Sequence, residues 1–163
     1  MRPVARFLLG IVLIALCRGS SAYDWASFHG GASLSRESIE VIGTPVSQAW
    51  RATLEGSLLG SPVIENGRVY AWTRNGYLYC LDLATGATVW TRFTGNLDAP
   101  AVPGLSGPRL DATPTVVHGR LYLGTSGGDL LCLNAATGAL VWKRHHGGEQ
   151  MSSPLVTGGM VVI

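Results

Sequence analysis

Charge is scarce in this chain, and helical periodicity is missing from it. Only 13% of the 163 residues are Asp, Glu, Lys or Arg, and 12 basic residues nearly balance 10 acidic ones for a formal net charge of +2. No basic run occurs, so the electrostatic footprint of a nucleic-acid binder is absent. Beyond residue 22 no stretch of ten or more positions carries apolar residues at helical spacing, which excludes a helical bundle. There is no Gly-rich phosphate loop, no Ser-centred nucleophile elbow and no Cys-x-x-Cys-His haem segment. What the chain has instead is 47% hydrophobic residues, 22 Gly and 8 Pro. The apolar share belongs to an ordered globular chain, and the Gly and Pro point to many tight turns. An all-β fold is the expectation.

Residues 1–22 differ from the rest. Arg2 and Arg6 give a positive start, Phe7 to Cys17 is an apolar run, and Ser20-Ser21-Ala22 closes it with small residues. That is the layout of a secretory signal peptide cleaved after Ala22. The run is about half of the roughly 20 residues an ordinary membrane-spanning helix needs. Two alternatives remain open, an uncleaved anchor and a lipoprotein signal that uses Cys17, although Leu16 is larger than the residue expected before a lipidated Cys. The mature chain would then be periplasmic or extracellular, and membrane-associated only through one of those alternatives.

The remainder is repetitive. Displacing the chain by 52 places Ser61–Arg92 on Thr113–Arg144 without a gap, with sixteen of 32 positions identical. The underlying period is 40, since Trp50 precedes Trp90 by 40 and Pro114 precedes Pro154 by 40. About 12 extra residues therefore separate the two copies, in an insert at 96–110 whose Pro100, Pro103, Gly104, Gly107 and Pro108 give it loop composition. Each copy reads as four short strands. In the first these are Ser61–Ile64, Arg68–Thr73, Tyr77–Leu83 and Ala87–Arg92, with turns at Glu65-Asn66-Gly67, Asn75-Gly76 and Ala84-Thr85-Gly86. Asn75-Gly76 suits a tight hairpin because both residues tolerate positive φ. Four antiparallel strands every 40 residues describe a propeller blade, which must stack on neighbours to bury both faces. The organisation expected is a closing strand at 46–54, a blade at 61–92, the insert at 96–110, a blade at 113–144 and the start of another at 153–163. Residues 23–163 thus form the N-terminal part of a propeller, an incomplete ring, since seven or eight such units would need roughly 280–320 residues.

The segments Cys80-Leu81-Asp82-Leu83-Ala84-Thr85-Gly86-Ala87-Thr88-Val89-Trp90 and Cys132 to Trp142 resemble the repeat of pyrroloquinoline-quinone (PQQ) dehydrogenases. They are similar also to the repeat of non-catalytic relatives, among them the propeller lipoprotein of the outer-membrane β-barrel assembly machine. The resemblance implies a tryptophan-docking motif, Ala-x-Asp-x-x-x-Gly-x-x-x-Trp with Thr before the Gly. Its positions here are Asp82, Thr85, Gly86 and Trp90, then Asn134, Thr137, Gly138 and Trp142, with Cys in place of the Ala in both copies. The Gly would serve a turn, the Asp or Asn would bond turn backbone, and the Trp would end in the seam between blades. Trp50 is expected on the outer strand of the blade that closes the ring.

Cys80 and Cys132 hold equivalent positions in neighbouring blades and are expected to be buried apolar stand-ins, too far apart for a disulfide. Adjacent His145 and His146 point opposite ways in an extended segment and make a poor metal pair. The quinoprotein enzymes carry adjacent Cys, and a Glu, Asn and Asp set around calcium, none of which maps onto a matching motif here. The fragment shows no cofactor of its own, and PQQ with calcium enters only if the full-length protein is an enzyme. On geometry, the second-to-third-strand turns and the links between blades would share one face around a channel mouth. That makes Arg74, Asn75, Asp98, Arg109, His145 and Glu149 candidates for a ligand face. The leading reading is a non-catalytic binding scaffold of the cell envelope, with an envelope protein or small molecule as partner. The alternative is a PQQ-dependent alcohol or sugar dehydrogenase whose active-site residues lie beyond Ile163.

Overall fold

The computed structural model describes residues 9–15, 47–58, 60–94, 112–148 and 152–163. Among them there is no helix, and twelve strands follow in order. They are β1 (Leu9–Ala15), β2 (Gln48–Glu55), β3 (Val63–Glu65), β4 (Arg68–Trp72), β5 (Tyr77–Asp82), β6 (Thr88–Phe93), β7 (Thr115–Val117), β8 (Arg120–Gly124), β9 (Asp129–Asn134), β10 (Leu140–His145), β11 (Leu155–Thr157) and β12 (Met160–Val162). Strands β3 to β6 form one antiparallel meander and β7 to β10 a second, which are the two full blades of a propeller. Strands β11 and β12 open a third unit, and β1 pairs antiparallel with β2.

Turn chemistry sets these boundaries. The first hairpin of each blade places two consecutive residues at positive φ, Asn66 and Gly67 in one blade and His118 and Gly119 in the other. Such a pair matches the twist of the flanking strands. The second hairpin differs from the sequence expectation. Gly76 takes φ 89° but Asn75 does not turn left-handed; the Gly76 amide closes onto Thr73 O at 3.0 Å. Asn75 Oδ1 instead accepts from the Thr73 hydroxyl at 2.6 Å, and side-chain bonding replaces the backbone strain anticipated there.

Strands β4 and β5 are buried on both faces, and alternation assigns each face to a different neighbour. Val69, Ala71, Tyr77, Tyr79 and Leu81 pack with Trp50 and Leu54 of β2. Tyr70, Trp72, Leu78 and Cys80 pack with Val116, Leu121, Leu123, Leu131 and Leu133 of the second blade. The first strands of successive units also approach one another: the Thr113 amide donates to Ser153 Oγ at 3.2 Å, and the Thr115 hydroxyl donates to Pro154 O.

The seams are pinned by tryptophan. Trp50 Nε1 donates to Leu83 O at 2.8 Å, and Trp90 Nε1 donates to Ala135 O at 3.0 Å, the equivalent carbonyl one blade on. Gly86 (φ 73°) and Gly138 (φ 69°) lie flat beneath these rings. A methyl group on Gly86 would stand 2.5 Å from Trp50 Cε3, and one on Gly138 would stand 2.8 Å from Trp90 Cε3. Only glycine satisfies both the left-handed backbone and that approach. Asp82 holds the turn beneath Trp50: its Oδ1 accepts from the amides of Ala84 and Thr85, both at 3.1 Å, and from the Thr85 hydroxyl at 3.0 Å. Asn134 Oδ1 does the same for Ala136 at 2.9 Å and Thr137 at 3.1 Å. The Thr85 and Thr137 hydroxyls accept in turn from the amides of Ala87 and Ala139. The contiguous sequence motif therefore divides in space. Its turn receives the tryptophan of the preceding unit, while its own tryptophan reaches the next.

Trp90 belongs to a closed seam, whereas the Trp142 ring has Tyr122 beside it at 6.0 Å and no following turn to enter among the described residues. Trp90→Ala should therefore cost about 3–5 kcal/mol in chemical denaturation. The Thr85 hydroxyl foremost, with the Arg68 guanidinium at 2.6 Å, holds the Asp82 carboxyl below its usual range. A depressed folded-state pKa stabilises above the unfolded value of about 4 and is lost as pH falls through the folded value. Asp82→Asn, which keeps the turn bonds as Asn134 does but gives up the ion pair with Arg68, should lower neutral stability slightly and flatten its loss in acid. Asp82→Ala should lower the melting temperature already at neutral pH.

Candidate binding face

The second hairpin of each blade is joined by backbone hydrogen bonds to the link that leaves it, and in the first blade to the link that enters it as well. In the first blade the Arg74 amide donates to Ser57 O at 2.8 Å on the incoming link. Gly76 O accepts from the Thr94 amide and hydroxyl, both at 2.9 Å, on the outgoing one. Asn75 packs over Gly56. In the second blade Gly128 O accepts from the His146 amide at 3.0 Å. There the outgoing backbone comes so near that a methyl on Gly128 would sit 2.6 Å from Gly148 O. Thr94 and His146 are equivalent positions, so one bonding scheme builds the same end of both blades. Turns and links expected to share a face do adjoin. Asp98, Arg109 and Glu149, the remaining candidates, lie outside the described residues.

Side chains on this face diverge where the backbone does not. In the first blade the ends of β5 and β6 carry Tyr77 and Phe93, ring centroids 5.0 Å apart, with Tyr79 stacked 6.3 Å from Tyr77. The same positions in the second blade carry Asp129 opposite His145, with Lys143 near. Lys143 Nζ lies 2.6 Å from Asp129 Oδ2, and His145 Nδ1 lies 3.0 Å from Oδ1. Burial alone would raise the Asp129 carboxyl, but the hydrogen bonds from Lys143 and His145 outweigh it and hold the group below its usual range. The sequence reading singled out His145 but neither Asp129 nor Lys143. The signal was available: a Tyr/Phe pair in one copy becomes an Asp/His pair in the next, across a register the strands impose.

Trp72 was missed as well. It is 1% exposed, and its Nε1 has no hydrogen-bond partner among the described residues. Its ring edge lies against Gly60, beside the Thr113 hydroxyl. The repeat places Gly124 at the equivalent position, so the fold does not require an indole there. Arg74 is exposed, and its backbone alone ties the hairpin to Ser57.

Cys80 and Cys132 are free thiols, both buried. Burial pushes the Cys80 thiol up to about 11 and raises that of Cys132 too, which suppresses the thiolate that redox or nucleophilic chemistry requires. Among the described residues no three His, Cys, Asp or Glu side chains converge so as to hold a metal ion, and no helix is long and apolar enough to cross a membrane.

The dehydrogenase subunit of the quinone alcohol dehydrogenase from Gluconobacter oxydans is 31% identical over 146 residues, covering 82% of this chain and 18% of that protein. Outer membrane protein assembly factor BamB from Shewanella oneidensis is 33% identical over 104 residues, covering 63% of this chain and 26% of that one. The chain thus spans about a quarter or less of these relatives. Among solved structures, the quinohemoprotein alcohol dehydrogenase from Comamonas testosteroni superposes with a TM-score of 0.63 at 21% identity, covering 85% of this chain and 22% of its own. BamB from Moraxella catarrhalis gives 0.52 at 24%, covering 69% and 32%. At these identities the structural likenesses bear on the fold. A family model described as outer membrane protein assembly factor BamB, of PQQ-like repeat type, matches residues 43–108 and 74–163. With that match running over most of its length, the chain belongs to the PQQ-like repeat β-propeller family.

Proposed function

We propose that the protein is an exported, non-catalytic scaffold of the bacterial cell envelope, periplasmic or extracellular, whose face of hairpins and links receives an envelope protein or a small molecule. The observation that carries this reading is the division of labour on that face. One backbone scheme is held constant from blade to blade, while the side chains at that end change from the buried Tyr77 and Phe93 to the polar Asp129, Lys143 and His145. A rigid frame with variable dressing suits recognition. The leader layout of residues 1–22 supports export, and relatives named as outer membrane assembly factors support an envelope setting.

The second reading, a PQQ-dependent alcohol or sugar dehydrogenase, is favoured by the Gluconobacter relative and its coverage of this chain. The described residues do not fit a calcium–quinone site. Asp82 is committed to its turn and Arg68, and Asp129 to Lys143 and His145.

The complete protein, incubated with PQQ and calcium and supplied with ethanol or glucose and an artificial electron acceptor, should show no turnover and no quenching of its tryptophan fluorescence by the quinone. Turnover would establish the dehydrogenase. Deleting Asn96–Leu110 from the complete protein should weaken partner binding by about tenfold or more while the melting temperature moves by only a few degrees. Unchanged binding at normal stability would remove the insert from the face. Trp72→Phe keeps most of the packing and removes a buried donor that has no partner among the described residues, so it should cost less than about 1 kcal/mol in chemical denaturation.

A further inference from the structure

The two blades carry the same arginine in different company, at the ends of the strands opposite to the hairpins and links of the candidate face. In the first blade one cross-strand row reads Glu65, Arg68, Asp82, each directly opposite the next. Residues so paired share a face of the sheet. Arg68 is neutralised there, its Nη1 lying 2.6 Å from Asp82 Oδ2. In the second blade the row reads Val117, Arg120, Asn134. The arginine is kept and both carboxylates are gone. Two further positions shift the same way. Asn66 in the first hairpin becomes His118, and Ala52, two residues after Trp50, becomes Arg92, two after Trp90. The Arg92 stem crosses the turn that follows Asn134, 2.9 Å from where a methyl on Gly138 would stand. Of these five equivalent positions, the first set holds two carboxylates and one guanidinium, and the second holds two guanidiniums and no carboxylate.

The exchange of Asp for Asn reverses the bonding character of one atom. Asp82 uses Oδ1 for its turn and Oδ2 for Arg68. Asn134 commits its only side-chain oxygen in the same way, Oδ1 accepting from the Ala136 and Thr137 amides. Its other terminal atom is therefore Nδ2, a donor where Asp82 has an acceptor. Arg120 brings further donors to the same row. Neither the Arg120 guanidinium nor Asn134 Nδ2 has a hydrogen-bond or ion-pair partner among the described residues, and Arg120 is exposed. Packing of a neighbouring blade does not close this position. Arg68 shares a face with Tyr70, which packs on the second blade, and 37% of its side chain stays exposed. Two donor groups in one row, one of them cationic, match a carboxylate, the group that the first blade supplies from its own chain.

We propose that Arg120 and Asn134 form a carboxylate-binding site, with Arg92 as a flanking charge, and that its occupant is an acidic segment of a protein partner. The sister blade argues the chemistry, because in the same frame the same arginine takes an Asp carboxylate at 2.6 Å. A segment with several Asp or Glu side chains sets one on the Arg120–Asn134 pair and offers another to Arg92. The site lies at the other end of the strands from the candidate binding face, and it stands whether or not that face receives a ligand.

The test uses the complete protein and a fluorescein-labelled oligoglutamate peptide, with oligoglutamine as the neutral control, read by fluorescence anisotropy at low salt. Oligoglutamate should bind and oligoglutamine should not, and salt at about 0.5 M should weaken the binding by about tenfold or more. Arg120→Gln should weaken it by about tenfold at low salt, whereas Arg68→Gln, which removes an arginine already neutralised, should change it by less than about twofold. Asn134→Asp separates recognition from folding. It rebuilds the row of the first blade and answers Arg120 from within the chain. Binding should again fall by about tenfold, with the melting temperature unchanged or raised. The proposal is overturned if oligoglutamate does not bind, if Arg120→Gln and Asn134→Asp bind it as the unaltered protein does, or if Arg68→Gln weakens it as much as Arg120→Gln. Phosphatidylcholine vesicles with and without phosphatidylglycerol cover the other source of negative charge. Arg120-dependent retention on the anionic vesicles, with no binding of the peptide, would assign the site to a lipid surface and overturn the proposal.

Discussion

The blades stack as they do because an indole N–H reaches a turn carbonyl of the next sheet and its ring lies flat on the glycine that ends that turn. Trp50 meets Leu83 O and Gly86, and Trp90 meets Ala135 O and Gly138. Around this contact the other constraints arrange themselves. The turn must be stiff enough to present its carbonyl, which Asp82 and Asn134 ensure by bonding successive amides. The outer strand must deliver the tryptophan to the seam, and each outer strand has a bulge beside it. Tyr70 lies 6.1 Å from Trp90, and its hydroxyl donates to the same Ala135 carbonyl at 3.3 Å, so one carbonyl oxygen gathers two donors from the preceding blade. The buried rows of the seam then give cohesion to an alignment already set by hydrogen bonds.

This arrangement makes each blade's position independent of what the other end of the sheet carries. The hairpins and links at that end repeat their backbone bonding at Gly76 with Thr94 and at Gly128 with His146, and the side chains above are free to differ. An aromatic cluster in one blade is replaced by a carboxylate held between a lysine and a histidine in the next. A family in which relatives are named both as assembly factors and as dehydrogenases is what such a separation permits, because recognition or chemistry is altered on one face without disturbing the seams.

Strand β2 links the two themes. It docks on the first blade as an outer strand does, and its other edge is taken by residues near the chain's start. The register there, with its bulge, is that of a blade interior.

Repetition made the fold legible. Identity at sixteen of 32 positions, a period of 40 and turn pairs such as Asn66-Gly67 determined four strands per unit and their boundaries within about two residues, because turn backbones constrain residue type strongly. The docking residues were legible for the same reason. What the sequence by itself could not determine was which unit each half of the motif serves, since a tryptophan four residues after a glycine is close to it along the chain yet docks one blade away. Nor could it reveal that Asn75 would bond a threonine instead of turning left-handed, that Trp72 would bury an unpartnered donor, or that Asp129 would gather Lys143 and His145. Apart from the Asn75–Thr73 bond, which spans two residues, each of these depends on distances across strands and seams. Only the tertiary structure decided them, because side-chain partners 14 to 45 residues apart are chosen by sheet register and blade stacking, and not by spacing along the chain.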